Sequence, residues 1–337
     1  MIRTPTPETI ADAATLLQQG HVIGLPTETV YGLAANALDG LAVARIFTLK
    51  QRPHLNPLIV HVIDTAMAAR YGVMNDLAHT LAAAFWPGPL TLVMPLRHDA
   101  GVSPLATSGL ETIALRVPAH PVAQAVLRAC NLPLAAPSAN VSGRLSPTAP
   151  QHVNASFGDA LPLILAGGAA PIGLESTVVD ATGDVPVLLR HGAITADDMR
   201  AATAGPVQDG TQLENGQAPR SPGQTLRHYA PRLPLRLSAV DVAPDEALLA
   251  FGALKFMGMR GGGFARDLPP ERLRNLSETG DLEEAASRLF AALHDLETSG
   301  ASRIAVMDIP ATGMGLAIRD RLSRAADSEK ETKECAS

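Results

Sequence analysis

Residues 24–62 read GLPTETVYGLAANALDGLAVARIFTLKQRPHLNPLIVHV, and this stretch decides the fold of the first half of the chain. An apolar run leads into a hydroxyl-rich turn at 27–31, helical spacing follows over 41–49, and a β-branched run covers 58–63. A short β-branched run bounded by prolines is typical of a buried strand. A strand, a helix and a second strand in this order indicate an α/β domain.

The end of this stretch is locally positive. Lys50 and Arg52 lie in a run with no acid between Asp39 and Asp64, although the formal net charge of the protein is −6. Cations at the end of a helix also interact favourably with the helix dipole, which is the simpler interpretation. Prolines follow both Arg52 and Asn56, however, and they hold the backbone extended just after the charges. The patch therefore predicts a site for an anionic substrate.

Length and composition favour a globular protein with more than one domain. The chain has 337 residues, of which 46% are hydrophobic, and this supports a large core and two domains. We find no apolar run long enough to span a bilayer and no secretory signal, so we expect a cytoplasmic protein. Cys130 and Cys335 are far apart in the sequence, and we expect both to be reduced thiols.

The charge balance argues against a broad nucleic-acid surface. Residues 1–205 contain 11 Lys and Arg against 14 Asp and Glu, and aromatic residues make up 3% of the chain. Electrostatic binding to nucleic acid requires a basic face. We therefore expect no stable nucleic-acid binding, although a confined basic pocket is compatible with these counts.

Strand and helix patterns predict two α/β units. They alternate over residues 1–203, which indicates an α/β domain with a mixed, twisted sheet and helices. Residues 204–234 are rich in Gly, Pro, Gln and Thr without periodicity, as in a linker. A smaller α/β domain is predicted over 235–326, with a strong amphipathic helix from Leu282, and the polar tail 327–337 is predicted to be disordered.

Two residues on apolar strands leave alternatives open. Arg116 lies in TIALRVP, where its even spacing from Thr112 places both on one face. An arginine there needs an anionic partner, so Arg116 belongs either to a buried ion pair or to a site. His61 lies within LIVHV, where position alone favours a hydrogen-bonded core histidine.

Hydrogen-bond donors cluster in later loops. APSANVSGRLS contains Ser138, Asn140 and Ser146, LEST contains Ser176, and Arg190 ends VLLR. Such loops cradle phosphate or ribose, and they also form turns and caps. The sequence contains neither a phosphate-binding GxxxxGK[ST] loop nor a GxGxxG motif after a strand. Cations, hydroxyls and amides without a catalytic triad or zinc cluster favour nucleotidyl transfer, in which positioning and charge neutralisation dominate.

Together these motifs resemble a known family, the L-threonylcarbamoyladenylate synthases of the YrdC type in their longer two-domain form. The matching segments span residues 5–326 in the order of the family. They are PTETVYGLAANA, KQRPHLNPLIVH, WPGPLTLV, TIALRVP, APSANVSG, ESTVVD, LLRHGAI, SPGQTLRHYAP, NLSETGDLEEAASRLF and GMGLAIRDRLSRAA. The resemblance implies a YrdC-like catalytic domain followed by a Rossmann-like accessory domain.

The resemblance also implies a reaction. The family joins L-threonine, bicarbonate or CO2, and ATP into threonylcarbamoyl-AMP and releases pyrophosphate. A separate transferase complex consumes the product to modify the tRNA adenosine beside the anticodon. We expect Mg2+ as the cofactor, bound through ATP phosphates and water, with no metal ligands from the protein.

Site residues follow from the same resemblance. Lys50 and Arg52 are expected to be catalytic, because they would neutralise the phosphates. The expected threonine contacts are Thr29, His61, Arg116 and Ser176. The expected ATP contacts are Lys50, Arg52, Asn56, Thr112, Ser138, Asn140, Ser146 and Arg190, with His228 and Tyr229 of the linker closing over them. Ala136 stands where many family members carry a hydroxyl that touches threonine, so one substrate contact is expected to be missing or replaced.

A second hypothesis comes from a different class of protein. An RNA-binding factor in tRNA or ribosome maturation, without catalysis, would also explain a basic cavity. The net negative count over residues 1–205 argues against it. Salt-dependent RNA binding without threonine-dependent ATP use would distinguish it from the synthase.

Overall fold

The computed structural model describes residues 1–53, 56–211, 229–254 and 257–327, and these residues form two compact units. The first comprises Met1–Ser142, Pro147–Pro171 and the described chain from Glu175. The second comprises Gly143–Ser146, Ile172–Leu174 and the described chain from Tyr229. Two short stretches from inside the first unit's sequence therefore belong to the second unit, an arrangement that the prediction of successive domains does not contain.

The first unit is an α/β structure. Its described strands are β1 (Ile2–Arg3), β2 (Ile23–Leu25), β3 (Gly32–Asn36), β4 (Ile59–His61), β5 (Leu90–Pro95), β6 (Thr112–Arg116), β7 (Leu134–Ala135), β8 (Ile164–Leu165), β9 (Thr177–Asp180), β10 (Val187–Arg190) and β11 (Gln208–Asp209). Its described helices are α1 (Pro7–Gln18), α2 (Gly40–Lys50), α3 (Thr65–Ala68), α4 (Asp76–Phe85), α5 (Pro104–Thr107), α6 (Pro121–Cys130), α7 (Pro150–Phe157) and α8 (Ala196–Thr203).

These strands form one mixed sheet. Over the described residues its order is β1-β8-β2-β3-β7-β4-β6-β5-β9-β10-β11. β4 and β6 are parallel, as are β5 and β9, whereas β5 runs antiparallel to β6 and β10 runs antiparallel to β9. The mixed α/β class expected from the alternating pattern is confirmed.

The two faces of the central strands differ in composition. One face carries Leu92 and Leu115 into the main hydrophobic core of the unit. The opposite face contributes only a small apolar cluster, formed by Ile59, Val93, Ala114, Val178 and Leu189. Because strand side chains alternate between faces, polar residues two positions from this cluster share its face. This face therefore has room for a polar site above an apolar floor.

Local sequence signals explain the ends of the two helices that matter most here. α1 begins as expected, because Thr6 caps it, Thr9 completes a reciprocal capping box and Pro7 is the first helical residue. α2 ends at Lys50 because Gln51 adopts a left-handed conformation with φ of 52°. The basic end of α2 is therefore fixed by its backbone.

The structure contains elements that the sequence patterns did not predict. These elements are β3 and α7, for which the sequence patterns give neither a strand nor a helix. β3 reads GLAAN, in which alanine has low strand propensity, and pairing with β2 and β7 determines its conformation. α7 begins at Pro150, three residues after Pro147, so the proline-rich loop signals hide its start.

The second unit is a smaller α/β structure. Its described strands are β12 (Leu235–Arg236), β13 (Asp241–Val242), β14 (Ala247–Ala250), β15 (Gly258–Met259), β16 (Leu273–Asn275) and β17 (Ile304–Val306). Its described helices are α9 (Leu282–Glu297) and α10 (Met314–Asp327). The main sheet has the order β12-β17-β14-β16 with parallel pairing throughout, which agrees with the predicted Rossmann-like class. α9 buries the apolar stripe that predicted it.

No helix within the described ranges combines the length and the apolar character that a membrane span needs.

Candidate active site

One end of the first unit's sheet gathers polar side chains from neighbouring strands. His61 ends β4 and is paired in register with Arg116 at the end of β6. β5 and β9 begin at this same end of the sheet, with Ser176 directly before β9, and Arg190 ends β10 opposite Val178. The structure therefore brings His61, Arg116, Ser176 and Arg190 together through topology, although they are distant in sequence.

Arg116 lies in a buried ion pair, and it also contacts a predicted substrate residue. Its Nη2 donates to Glu28 Oε1 at 2.6 Å, its Nη1 donates to Thr29 Oγ1 at 2.8 Å, and its Nε donates to the Gly88 carbonyl at 3.1 Å. The guanidinium is thus held from three directions, with Thr29 beside it. Two of the five N–H bonds of an arginine lie outside these contacts.

Glu28 is the carboxylate that compensates Arg116. Burial raises the pKa of Glu28, but the charge of Arg116 and hydrogen bonds outweigh it and bring the pKa below the ordinary value of 4.5. Glu28 Oε2 also accepts from the backbone N–H of His120 at 3.3 Å. Glu28 is therefore an ionised, buried residue of this site, and no role was predicted for it from sequence.

His61 is a buried histidine whose pKa is influenced by the backbone groups of Ile59 and Leu134 as well as by charged neighbours. Its side chain is buried, and Nδ1 has no hydrogen-bond partner among the residues that the structure describes. Burial, with Arg116 nearby, lowers the pKa of His61 to about 3, so the imidazole is neutral. A neutral ring nitrogen without a partner can donate to or accept from a bound molecule.

Ser176 links Arg190 to the strand beside it. Arg190 Nε donates to the Ser176 carbonyl at 3.0 Å, and its Nη2 donates to Ser176 Oγ at 3.1 Å. Thr91 Oγ1 lies 2.7 Å from the same Oγ. The predicted ATP residue Arg190 and the predicted threonine residue Ser176 therefore form one hydrogen-bonded group, which Thr91 supports.

A second group of polar residues lies where the chain enters β4. Lys50 Nζ donates to the Ser138 carbonyl at 2.5 Å and to the Asn140 carbonyl at 2.7 Å. Arg52 donates through Nε to the Asn56 carbonyl at 3.2 Å and through Nη2 to the Pro57 carbonyl at 3.1 Å. Five predicted ATP residues are thus adjacent, namely Lys50, Arg52, Asn56, Ser138 and Asn140.

Electrostatics connects the two groups. Burial lowers the pKa of Lys50 well below its ordinary value, the neighbouring charge of Arg52 lowers it further, and the carboxylate of Glu175 opposes both effects. Glu175 directly precedes Ser176 in the chain, so its charge links the group around Lys50 to the group around Ser176.

Thr112 is the remaining predicted ATP residue of the first unit. It lies at the start of β6, and its spacing places it on the face of Ala114 and Arg116.

Two predicted site residues belong to the second unit, and a third is not among the described residues. Ser146 belongs to the second unit, where its carbonyl lies 3.2 Å from His294 Nε2. Tyr229 belongs to that unit too, with its ring centroid 5.7 Å from that of Phe290 and the Arg321 guanidinium 5.2 Å above it. His228 lies outside the described residues.

Four buried cations share one kind of support. Lys50, Arg52, Arg116 and Arg190 each donate to at least one main-chain carbonyl. A carbonyl dipole fixes a cation without neutralising it, whereas a carboxylate such as Glu28 beside Arg116 neutralises the cation with which it pairs. The buried carboxylates of the site, Glu28 and Glu175, are fewer than its cations. The site is therefore built to attract anions.

Three of the six buried polar side-chain atoms that have no hydrogen-bond partner among the described residues lie in this region. Asn56 Oδ1 and Ser142 Oγ, like His61 Nδ1, are buried with no hydrogen-bond partner among the described residues. Buried polar atoms in native proteins are almost always hydrogen-bonded, so such atoms need an explanation. A polar ligand would supply the missing partners.

Several supporting residues were missed from sequence. Glu28 stands between two threonines in the quoted PTET turn, and the requirement of Arg116 for an anion was the signal that could have assigned it. Thr91 lies in a continuous apolar strand and gives no such signal. Glu175 lies beside Ser176 and could have been noticed as the acid nearest a predicted contact.

The described residues offer no group of three or more His, Cys, Asp or Glu side chains arranged to hold a metal ion. Glu28, one of the two buried carboxylates here, is already engaged by Arg116. A metal at this site would have to take most of its ligands from a substrate and from water.

Comparison with known proteins identifies the family. Residues 15–192 match the Sua5/YciO/YrdC family model, described as telomere recombination. Residues 194–327 match the C-terminal domain of threonylcarbamoyl-AMP synthase. The chain belongs to the threonylcarbamoyl-AMP synthase family.

Individual members of the threonylcarbamoyl-AMP synthase family match over nearly the whole chain. The threonylcarbamoyl-AMP synthase of Bacillus subtilis is 40% identical over 324 residues, covering 94% of this chain and 92% of the relative. The crystal structure of Pyrococcus abyssi Sua5 complexed with L-threonine has a TM-score of 0.82 at 33% identity, covering 97% of this chain and 96% of that one.

A shorter family structure matches only part of the chain. Escherichia coli YciO has a TM-score of 0.53 at 26% identity, and it covers 59% of this chain and 97% of its own. The present chain therefore belongs with the longer, two-domain synthases rather than with the single-domain members.

Proposed function

We propose that this family member is a nucleotidyltransferase that converts L-threonine, bicarbonate or CO2, and ATP into threonylcarbamoyl-AMP and pyrophosphate. The observation that carries the proposal is the set of four buried cations, each anchored by main-chain carbonyls. The substrates bring a carboxylate, a carbamate and a triphosphate into one place. Fixed cations reduce the mutual repulsion of these anions at positions where mobile ions could not.

The reaction requires two bond-forming steps. The threonine amine, once deprotonated, adds to the carbon of CO2 or bicarbonate and forms a carbamate, with loss of water in the case of bicarbonate. A carbamate oxygen then attacks the α-phosphorus of ATP, the bond to the bridging oxygen breaks, and pyrophosphate leaves with that electron pair. Negative charge moves onto pyrophosphate, so the cations stabilise the leaving group as well as the attacking anion.

The geometry supports a division of roles between the two polar groups. Arg116 would bind the threonine carboxylate, with Thr29, His61 and Ser176 as its companions. The group formed by Arg52, Asn56, Thr112, Ser138 and Asn140 would hold the phosphates, with the charge of Lys50 beside it, and Arg190 would join it from beside Ser176. Ser146, which belongs to the second unit, is added to the ATP contacts by the family resemblance alone. Arg190 and Ser176 are hydrogen-bonded, and this contact would keep the two substrates next to each other.

Further parts of the proposal concern the surroundings of the reaction. Mg2+ would enter with ATP, held by phosphate oxygens and water, where it would offset charge on the triphosphate. The linker predicted at 204–234 would close over the bound substrates through His228 and Tyr229. The product would pass to a tRNA threonylcarbamoyl transferase complex in the cytoplasm.

The RNA-binding alternative has no support from the relatives. The curated relatives are named as threonylcarbamoyl-AMP synthases or putative ones. No feature of the described residues favours an RNA-binding factor, and the net negative count over residues 1–205 argues against one.

The proposal is tested by following pyrophosphate release. Purified protein with Mg-ATP, L-threonine and bicarbonate should release pyrophosphate, and omission of threonine or of bicarbonate should reduce release to the background rate. L-Valine, which has the shape of threonine without its hydroxyl, serves as a matched control substrate. Release that continues without threonine or without bicarbonate would contradict the proposal.

A further inference from the structure

The ammonium group of Lys50 is enclosed by oxygens of one loop. We call these oxygens the carbonyl cup: the Ser138 carbonyl at 2.5 Å from Nζ, the Asn140 carbonyl at 2.7 Å and Asn140 Oδ1 at 3.5 Å. An ammonium has three N–H donors, and the cup offers three acceptors. Lys50 could reach a phosphate only by giving up part of this contact.

The same loop is attached to the backbone of Lys50. The Ser142 N–H donates to the Lys50 carbonyl at 2.8 Å. Lys50 is the last residue of α2, so its carbonyl has no partner within the helix, and the loop satisfies it. Lys50 therefore holds residues 138–142 at two points, through its side chain and through its main chain.

Burial makes the side-chain contact energetically important. Lys50 is 1% exposed, and an ammonium withdrawn from water needs compensating acceptors. Conversely, removal of the ammonium would take one donor from the Asn140 carbonyl and would leave the Ser138 carbonyl with the Asn140 N–H at 3.0 Å, and the loss of a buried donor is costly. The loop would have to rearrange to bring these oxygens to water.

We propose that Lys50 is a positioning residue whose ammonium holds the Ser138–Asn140 loop in the shape that receives ATP. The effect of this positioning role on catalysis rests on the proposed function, in which Ser138 and Asn140 contact ATP. The loop is already ordered before ATP binds. The binding free energy of ATP is therefore not reduced by the entropic cost of ordering the loop.

Hydrogen exchange in the absence of substrate tests this role directly. Lys50→Met removes the ammonium and keeps an apolar stem of similar length. Amide exchange over residues 138–142 should become about tenfold faster or more, which is the factor expected for loss of a hydrogen bond to a charged group. Arg45→Met is the matched control, since Arg45 is an exposed cation of the same helix that donates to the Gly20 carbonyl. It should leave loop exchange unchanged.

Kinetics supplies the second readout. Lys50→Met should raise the KM for ATP about tenfold or more and change the KM for threonine less than twofold, because the loop belongs to the ATP group. If Lys50→Met fails to fold, Lys50→Gln keeps two N–H donors on a shorter stem and should give intermediate values in both measurements. Unchanged loop exchange, or an unchanged KM for ATP, overturns the proposal. A wild-type protein without pyrophosphate release would contradict the proposed function alone, since the exchange measurement needs no substrate.

Discussion

Among single residues, Glu28 and Arg116 form the buried ion pair that fixes the position of the Arg116 guanidinium. Their side chains are buried and 2.6 Å apart, and removal of either leaves the other as an uncompensated charge. Glu28, Thr29 and the Gly88 carbonyl accept three of the five N–H bonds of Arg116, which leaves two N–H donors for a ligand. One guanidinium therefore has a structural partner on one side and, on the proposed function, the threonine carboxylate on the other.

Glu28→Gln should destabilise the protein in a pH-dependent way. The pKa of Glu28 is below its ordinary value of 4.5 in the folded protein, so ionised Glu28 contributes stability that is present above that value and lost as the pH falls. We expect a loss of about 3 kcal/mol at pH 7, the lower end of the range for breaking a buried pair. Urea unfolding at pH 7 and at pH 4 measures both values.

The outcome at low pH distinguishes this explanation from a general packing defect. The stability difference between the wild type and Glu28→Gln should shrink as the pH falls below 4.5, because Glu28 of the unfolded protein binds a proton there before Glu28 of the folded protein does. Asp12→Asn, which alters an exposed ion pair with Arg3, is the control and should change stability by less than about 1 kcal/mol. A pH-independent difference for Glu28→Gln would argue against the charge-based explanation.

At the scale of elements, the β9–β10 pair positions Ser176 and Arg190. Gly192 follows β10, and a Cβ there would lie 2.3 Å from the backbone nitrogen of Thr177, the first residue of β9. Thr177 Oγ1 also bridges to the Ile194 backbone, with O···O and N···O distances of 2.7 and 3.0 Å. The close approach of the two backbones therefore fixes where Ser176 lies.

Gly192→Ala should displace the start of β9. We expect a loss of about 1–3 kcal/mol in the free energy of unfolding, as for overpacking, together with a higher KM for threonine. Gly183→Ala is the matched control on the same pair of strands, because a Cβ there meets nothing within 4 Å. It should change stability by less than about 0.5 kcal/mol. Equal effects of the two substitutions would contradict this account of Gly192.

Much of this element-level organisation could be predicted from sequence. Apolar runs and caps located α1, β4, β6 and α9, because each has a regular pattern or a proline or threonine at its start. β3 could not be found in this way, since its alanines gain strand structure only from their neighbours. The predicted site residues were found through family motifs. Thr91 carried no signal, because its role depends on pairing with a distant strand.

At the scale of the whole molecule, the second unit is not a continuous segment of chain. It includes Gly143–Ser146 and Ile172–Leu174. Within it, the Ala230 N–H donates to the Gly143 carbonyl at 2.8 Å, and a Cβ on Gly173 would lie 2.5 Å from the Ser287 carbonyl oxygen of α9. Composition could locate a linker, but it could not show that earlier residues pack with the later unit.

Gly173→Ala should therefore destabilise the second unit. Gly173 has φ of +74°, and its added Cβ would also meet the backbone of Ser287. Gly168→Ala is the control, because Gly168 has φ of +80° but no atom within 4 Å of the added Cβ. Both should lose about 1–2 kcal/mol from backbone strain, and Gly173→Ala about 1–3 kcal/mol more. Denaturant unfolding measures the difference, and equal losses would contradict the packing argument.

The discontinuous make-up of the second unit also affects the order in which the nascent chain can mature. A ribosome releases residues 143–146 and 172–174 long before it has made α9. The sheet of the first unit can form as soon as β10 and β11 emerge, whereas those two short stretches must wait for their partners. Completion of the molecule is therefore tied to the end of translation, and a truncated chain would leave residues inside its own first half without the packing that they have in the finished protein.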